Sequence, residues 1–484
     1  MKKFTIICTL LLAVLLFSSS SLRAQTLVSA TALDTMPVFV LNQLTGGRSL
    51  YSVVSYKITY NTTNVDGSNT VASGAVSLPY NANCDTMSLI AYCHGTVLRR
   101  ADVPSRNNTE STIGKAMASV GHAVVMPDYL GLGDNAGLHP YIHAESEATA
   151  TLDAVRAARE FIQNQNPIAG LRLNSELFVT GYSQGGHAAM ATANYIQDNN
   201  LFATFNLIGT APASGPYDLA GSQSRVFIDD DPYSNPGYVV YLLMAYERVY
   251  GNIYNNISDI LKSPYDTLIP PFFNGNFDMD TVNKLLPMRI SGFLEDTVLQ
   301  NFRQDSIGQN HPIWQALNAN TNYNWSPQRE MRMYYCTNDE QVNFENALKA
   351  KQYMQAQGSP VKAIRIGPFD HGGCVVPAVT ESLSFVDSLS TGCGRNFQAV
   401  GRAEEAFAAF SFFPNPARET LHIQARDYQE AYQLAVFRSD GAKIFQSRGR
   451  GDQTISLANW PAGIYIIQLH SEHAFRQERL VVQY

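Results

Sequence analysis

Three residues lying far apart in the chain have the types and the order that acyl transfer requires. Ser183 sits in Gly181-Tyr182-Ser183-Gln184-Gly185-Gly186, Asp339 in Thr337-Asn338-Asp339-Glu340-Gln341-Val342, and His371 in Gly367-Pro368-Phe369-Asp370-His371-Gly372-Gly373. A serine hydroxyl becomes a nucleophile when a tight turn lifts it clear of the backbone and a base removes its proton. In such an arrangement His371 takes the Ser183 proton and returns it to the leaving group. Asp339 then holds the imidazole tautomer and stabilises the imidazolium. Glu340 is the rival for the acid, and Asp370 reads as a side chain that shapes the loop. The oxyanion formed on attack needs donors worth about 3 kcal/mol each. The backbone N–H of Gln184 is the first expected donor. The N–H of Thr96, in Cys93-His94-Gly95-Thr96, is the second, with Gly95 as its alternative.

Each of these residues follows a strand-like apolar run, which is the position that would bring them to one edge of a sheet. Glu176-Leu177-Phe178-Val179-Thr180 leads into the serine turn, and His187 to Ala193 continues from it as a helix. Glycines at 181 and 185 omit the side chains that so sharp a turn would crush. Met87 to Cys93 precedes the His-Gly pair, Arg332 to Cys336 precedes Asp339, and Val361 to Ile366 precedes His371. Among the 10 histidines, His371 is the one that follows a strand and is flanked by glycines.

These residues resemble the α/β-hydrolase superfamily, and within it the secretory lipases and esterases. The resemblance spans about residues 50 to 390 and rests on His94-Gly95, Pro127 to Gly133, His139-Pro140-Tyr141, Gly181 to Gly186, Asp339 and Asp370-His371-Gly372. It implies an α/β fold with a mostly parallel eight-stranded sheet, helices on both faces, no metal and no cofactor, and hydrolysis of carboxylic esters. The His-Gly-Gly-Gly run of many esterases is missing, so the oxyanion loop departs from the common pattern.

Between the serine and the acid lies a long stretch, about 229–325, with an aromatic and helical pattern that includes Tyr238 to Tyr246. A structureless loop of that length is improbable in a compact domain. It reads as a helical cap that binds an apolar acyl chain, with a plain structural insertion as the alternative. His139, His143 and Glu147 recur at four-residue spacing and invite a metal. Pro140 breaks the helix that would align them, so this segment is expected to shape the loop beside the site. Asp128 and His187 are likewise expected to be structural.

The chain has 484 residues and a net charge of −7. Met1-Lys2-Lys3, the apolar run Phe4 to Phe17 and Leu22-Arg23-Ala24 have the layout of a secretory signal peptide, residues 1–24. Its removal takes away Lys2, Lys3 and Arg23 but no acid, leaving −10. Such a surface is a poor match for nucleic acid, and no later segment is long and apolar enough to span a bilayer. The catalytic domain is expected over 25–400, followed by a linker of small and acidic residues at 401–410. Residues 411–484 are then all strand and turn, as a two-sheet sandwich requires. Pro414-Asn415-Pro416, Asp440-Gly441 and Gly463-Ile464-Tyr465 resemble the C-terminal sorting domain of type IX secretion cargo. That resemblance implies passage through the periplasm, engagement of outer-membrane secretion machinery, and a secreted or surface location. A carbohydrate-binding sandwich is the alternative. Five cysteines follow the signal. Cys93 and Cys336 read as buried apolar residues, and Cys374 with Cys393 as the favoured bridge. The expected function is an exported serine esterase or lipase acting on a small-molecule or lipid ester. A serine peptidase of the same fold and a non-catalytic binding protein are the alternatives.

Overall fold

The computed structural model describes residues 26–80, 82, 86–165, 167–393, 410–425, 431–438, 443–471 and 475–483. The expected signal peptide, residues 401–409 of the expected linker and the Asp440-Gly441 turn lie outside the described residues, whereas Phe410 is the first residue of a strand.

Nine strands form one sheet: β1 Leu27–Met36, β2 Ser52–Thr63, β3 Asn69–Tyr80, β4 Thr86–Cys93, β5 Ala123–Pro127, β6 Arg172–Tyr182, β7 Leu207–Ala213, β8 Glu330–Cys336 and β9 Val361–Gly367. Their order is β1-β2-β3-β5-β4-β6-β7-β8-β9. β1, β2 and β3 join antiparallel, as does β3 to β5, whereas every pair from β5 through β9 is parallel. The sheet therefore has one strand more than the expected eight, and its parallel half carries the chemistry. β4 and β6 show why that half is central: Leu89, Ile90, Ala91, Leu177, Phe178 and Val179 are all buried. Continuous apolar runs of this kind suit strands covered on both faces.

Helices supply the cover. Ala144–Glu160, Gln184–Asp198 and Glu345–Ala356 pack one face through Leu152, Val155, Ala189, Ile196, Ala350 and Met354. Thr109–Ala118 and His371–Leu389 pack the other through Met117, Phe385 and Val386. Because parallel strands all end on one edge, the turns after β4, β6, β8 and β9 emerge together.

Between β7 and β8 the chain leaves the sheet for a helical insertion whose longest helix is Pro236–Tyr250. The insertion has its own apolar cluster, built on Leu243, Tyr246, Ile260, Phe293 and Trp314, and joined by Leu98, Tyr141 and Ile142 from loops of the sheet domain. Tyr141 stacks flat on Tyr241, with ring centroids 4.5 Å apart.

The C-terminal strands are β10 Phe410–Phe413, β11 Thr420–Ala425, β12 Tyr432–Arg438, β13 Lys443–Gly449, β14 Gln453–Ser456, β15 Gly463–Ser471 and β16 Phe475–Val482. They form a three-stranded sheet, β10-β11-β14, and a four-stranded sheet, β13-β12-β15-β16. Alternate residues such as Leu421, Ile423, Leu434, Val436, Ile455 and Tyr465 make one buried core.

Candidate active site

Ser183 occupies the turn between β6 and the helix Gln184–Asp198 with φ 59° and ψ −122°, a conformation that L-residues adopt only under constraint. The constraint comes from packing against β4. A Cβ at Gly181 would lie 2.2 Å from the Gly185 carbonyl oxygen, and one at Gly185 would lie 1.9 Å from that of Cys93. The glycines therefore serve the turn itself and also the close approach of the neighbouring strand. Ser183 N–H donates to the Ala213 carbonyl at the end of β7, which pins the turn to the sheet.

His371 and Asp339 converge on this serine. His371 Nε2 lies 2.9 Å from Ser183 Oγ, and His371 Nδ1 lies 2.9 and 2.8 Å from the two Asp339 oxygens. With Nδ1–H donated to the carboxylate, Nε2 is left as the acceptor for the serine hydroxyl. Ser183, His371 and the Asp339 side chain are all nearly buried. Asp339 Oδ1 also accepts the N–H groups of Gln341 and Val342, so its orientation is set by its own turn.

Two residues clamp the backbone of His371. Glu340, the rival acid, accepts the His371 N–H at 3.0 Å, and Tyr182 donates its hydroxyl to the His371 carbonyl at 2.6 Å. Burial acts to raise the Glu340 carboxyl, but the donors around it, the His371 N–H foremost, leave it below its ordinary value. Asp370 caps the helix His371–Leu389 by accepting the Gly373 N–H at 2.7 Å, in keeping with a loop-shaping role.

On the other side of the serine, Gln184 opens its helix, so its N–H has no acceptor one turn back. The loop after β4 lies against the serine, for a Cβ built on Gly95 would come 4.0 Å from Ser183 Cβ. The Thr96 hydroxyl pairs with the Tyr141 hydroxyl at 3.0 Å. Behind Gln184 lies a polar network that the spacing of His139, His143 and Glu147 does not foretell. Gln184 Nε2 spends one hydrogen on His139 Nε2 and the other on Glu147, at 2.6 and 2.9 Å. His139 Nδ1 donates to the Leu130 carbonyl. Glu147 also receives His187 Nδ1 at 2.7 Å, and His187 Nε2 reaches the Asn320 carbonyl at 2.9 Å. Both His187 nitrogens face acceptors, the Glu147 carboxylate on one side and the Asn320 carbonyl on the other.

The helix begins at Ala144, and the would-be metal ligands do not face one another: His139 and Glu147 both accept from Gln184, and His143 turns to the Ser146 hydroxyl. Burial, ahead of neighbouring positive charge, brings His139 down to about 3 and His143 down to about 4. Among the described residues no group of three or more His, Cys, Asp or Glu is disposed to hold a metal ion. Asp128 accepts the Ser73 hydroxyl and the Ser105 N–H, so its carboxylate is engaged in tying these segments together.

The cysteine pairing differs from expectation. Cys374 bonds Cys336 and leaves Cys393, which is disulfide-bonded by other means. Sequence proximity favours the 374–393 pair, but β8 ends beside the start of the helix His371–Leu389 and brings Cys336 within reach. Cys336 is thus buried as half of a cystine rather than as a free apolar residue. Cys93 is buried and free, as expected, and burial pushes its thiol up to about 12.

A cavity opens from Ser183 and Gln184 into the insertion, walled by Tyr141, Leu219, Phe227, Tyr238, Val239 and Leu242. Among the described residues no charged side chain lines it.

The mixed sheet with helices on both faces and a sharp strand-to-helix turn carrying Ser183 after β6 defines an α/β-hydrolase. The chain belongs to the secretory lipase family, whose model matches residues 106–384. Residues 411–483 match the secretion system C-terminal sorting domain, here of the type IX kind. The rice cell wall degrading esterase LipA from Xanthomonas oryzae is similar at 27% identity, over 75% of this chain and 98% of that one, with a TM-score of 0.67. A candidate hydrolase from Legionella pneumophila is similar at 26% identity, over 76% and 98%, with a TM-score of 0.69. Candida antarctica lipase A in its closed state, at 16% identity over 77% and 83% with a TM-score of 0.53, shares the fold. No curated protein matches the chain. Family and neighbours together make this an exported hydrolase acting on esters. Among the described residues no helix is long and apolar enough to cross a membrane.

Proposed function

We propose that the protein cleaves carboxylic esters, as a lipase or carboxylesterase, through an acyl-enzyme on Ser183. The observation that carries this reading is the unbroken line of hydrogen bonds from Ser183 through His371 to Asp339. As Ser183 Oγ attacks the carbonyl carbon, His371 Nε2 takes its proton and Asp339 stabilises the resulting imidazolium. The tetrahedral oxyanion is held by the N–H groups of Gln184 and Thr96. Collapse expels the alcohol with the proton from His371, and a water activated by the same imidazole then hydrolyses the acyl-serine.

In this reading the insertion, about 229–325, is a cap whose apolar walls hold the acyl chain and exclude water. The uncharged cavity counts against a serine peptidase, which needs a polar or charged group to seize a peptide terminus. The assembled triad counts against a purely binding role. A panel of p-nitrophenyl esters beside aminoacyl and dipeptidyl anilides tests the choice. We expect kcat/KM to rise from acetyl to at least butyryl or hexanoyl, by up to about 0.8 kcal/mol for each buried CH₂. Anilides should be inert. A maximum at acetyl would instead mark a short-chain deacetylase, and faster anilide cleavage would make the protein a peptidase.

The organisation we propose is a signal peptide at 1–24, a catalytic domain at 25–400, a linker at 401–410 and a sorting module at 411–484 that carries the enzyme from the periplasm through the outer membrane. A chain ending near residue 405 should hydrolyse esters normally yet remain in the periplasm of a host with type IX machinery. Its appearance in the medium would return residues 411–484 to the role of a binding sandwich.

A further inference from the structure

We infer that the Cys336–Cys374 disulfide is a positioning element for the acid and base of the site, so that efficient hydrolysis is conditional on its oxidation. The inference rests on the triad proposed above. Cys336 is the last residue of β8 and lies three residues before Asp339, while Cys374 lies three residues after His371 in the first turn of its helix. The bond therefore closes a 38-residue separation that contains both groups and fastens the chain just outside each of them.

Its place at the end of the sheet gives it this task. The β8–β9 ladder closes with Cys336 opposite Gly367 and with the Thr337 N–H on the Gly367 carbonyl. Beyond that point no ladder pairing ties the Asp339 turn to His371. What remains are side-chain hydrogen bonds: the nearly buried pair between His371 Nδ1 and Asp339, and at the rim those from Asn338 to the Pro368 carbonyl and from the His371 N–H to the exposed Glu340. The rim bonds restrain little, and the buried pair forms only when both residues are already in place. The disulfide acts from the inner side, where both sulfurs are buried among Tyr182, Ala211, Ala213 and Tyr334. Reduction would leave two thiols free to part, letting the first turn of the helix shift from the end of β8. A misplacement near 1 Å at a reacting group is enough to cost about 100-fold in rate.

The chemistry of the switch is ordinary thiol–disulfide exchange. A dithiol attacks one sulfur, its second thiol displaces the mixed disulfide, and the dithiol leaves as a cyclic disulfide while Cys336 and Cys374 each gain a proton. In reoxidation one cysteine thiolate attacks glutathione disulfide and releases one glutathione, and the other cysteine then displaces the second from the mixed disulfide. Both sulfurs of the bond are buried, so the dithiol reaches them through a local opening at the start of the helix, and Cys93, which is in no disulfide, has its thiol pushed up to about 12 by burial. Before export both cysteines are thiols, and the enzyme would be poorly active among the cell's own esters.

The test uses the full chain and p-nitrophenyl butyrate. Cys336→Ala/Cys374→Ala should keep the far-ultraviolet circular dichroism of the wild type at 25 °C and lose 10- to 100-fold in kcat, with KM within threefold. Phosphonate labelling of Ser183 should slow by the same factor. Cys393→Ser, which removes a different bridge, should keep kcat within twofold. A double variant that melts earlier but retains kcat within twofold overturns the inference, because the bond would then serve stability alone. If the double variant does not fold, the wild type decides by titration with dithiothreitol and alkylation. Activity should fall in step with labelling of Cys336 and Cys374 while the dichroism is unchanged, and return with glutathione disulfide. Activity that survives in molecules alkylated at both residues, or that disappears only with global unfolding, overturns it. An oxidised wild type without esterase activity sinks the proposed function as well, whereas an active one indifferent to the two cysteines sinks this inference alone.

Discussion

The two sides of Ser183 are held by different means. On the acid–base side, Asp339 and His371 lie just beyond the ends of β8 and β9, tied by a disulfide and by hydrogen bonds from Tyr182 and to Glu340. On the oxyanion side, Gln184 is fixed by a buried polar chain that runs from Leu130 through His139, Glu147 and His187 to Asn320 of the insertion. The first side reaches the rim at Glu340, so that contact tunes geometry at little cost in stability. The second is dry and spans four segments, and a fully buried carboxylate tolerates no missing partner. The fold thus keeps its adjustable contact at the backbone of His371 and its unyielding ones behind Gln184.

This contrast can be broken at several points. The largest effects belong to the proton relay. His371→Ala and Asp339→Asn should each lower kcat by about 10³-fold or more while thermal unfolding stays near that of the wild type. A variant of either residue that kept a tenth of the activity would remove it from the relay. Next come the supports, which should separate by kind. Glu147→Gln breaks a fully buried pair and should cost about 3–5 kcal/mol in urea unfolding. Glu340→Gln, at an exposed residue, should cost under about 1 kcal/mol in the same experiment. Its effect should fall on kcat, about tenfold, through the lost charge on the His371 N–H. Equal stability losses for the two would erase the distinction between the sides.

The same contrast explains what the sequence discloses. Ser183, Asp339 and His371 are legible because each follows an apolar strand run and is bracketed by turn-forming residues, and parallel strands deliver their ends to one edge. The helical insertion is legible from its aromatic pattern, and the tail strands from their alternation. Partners fixed by sheet order are not legible in this way. Cys374 has Cys393 near it in sequence, yet Cys336 reaches it because β8 and β9 are neighbours in the sheet. The matched spacing Cys336–Asp339 and His371–Cys374 is the one signal that could have pointed there. Glu147 and His187 sit on different helices, and the regular spacing from His139 to Glu147 suggests a shared face that Pro140 prevents. Tyr182 and Glu340 flank the nucleophile and the acid in sequence, but their grip on the His371 backbone emerges only when β6, β8 and β9 are set side by side. The extra strand β1 lies at the antiparallel edge, far from the motifs that carry the resemblance.

The central claim is that Ser183 is the residue that carries the acyl group, and it can be tested on one purified sample. An alkyl phosphonate ester bearing a p-nitrophenyl leaving group should release one equivalent of p-nitrophenol per chain, abolish hydrolysis of p-nitrophenyl butyrate, and appear by peptide mass spectrometry on Ser183 alone. Ser183→Ala should neither label nor turn over, since loss of a triad nucleophile costs about 10⁶-fold. Labelling at another residue, or hydrolysis by Ser183→Ala within tenfold of the wild type, would contradict the account.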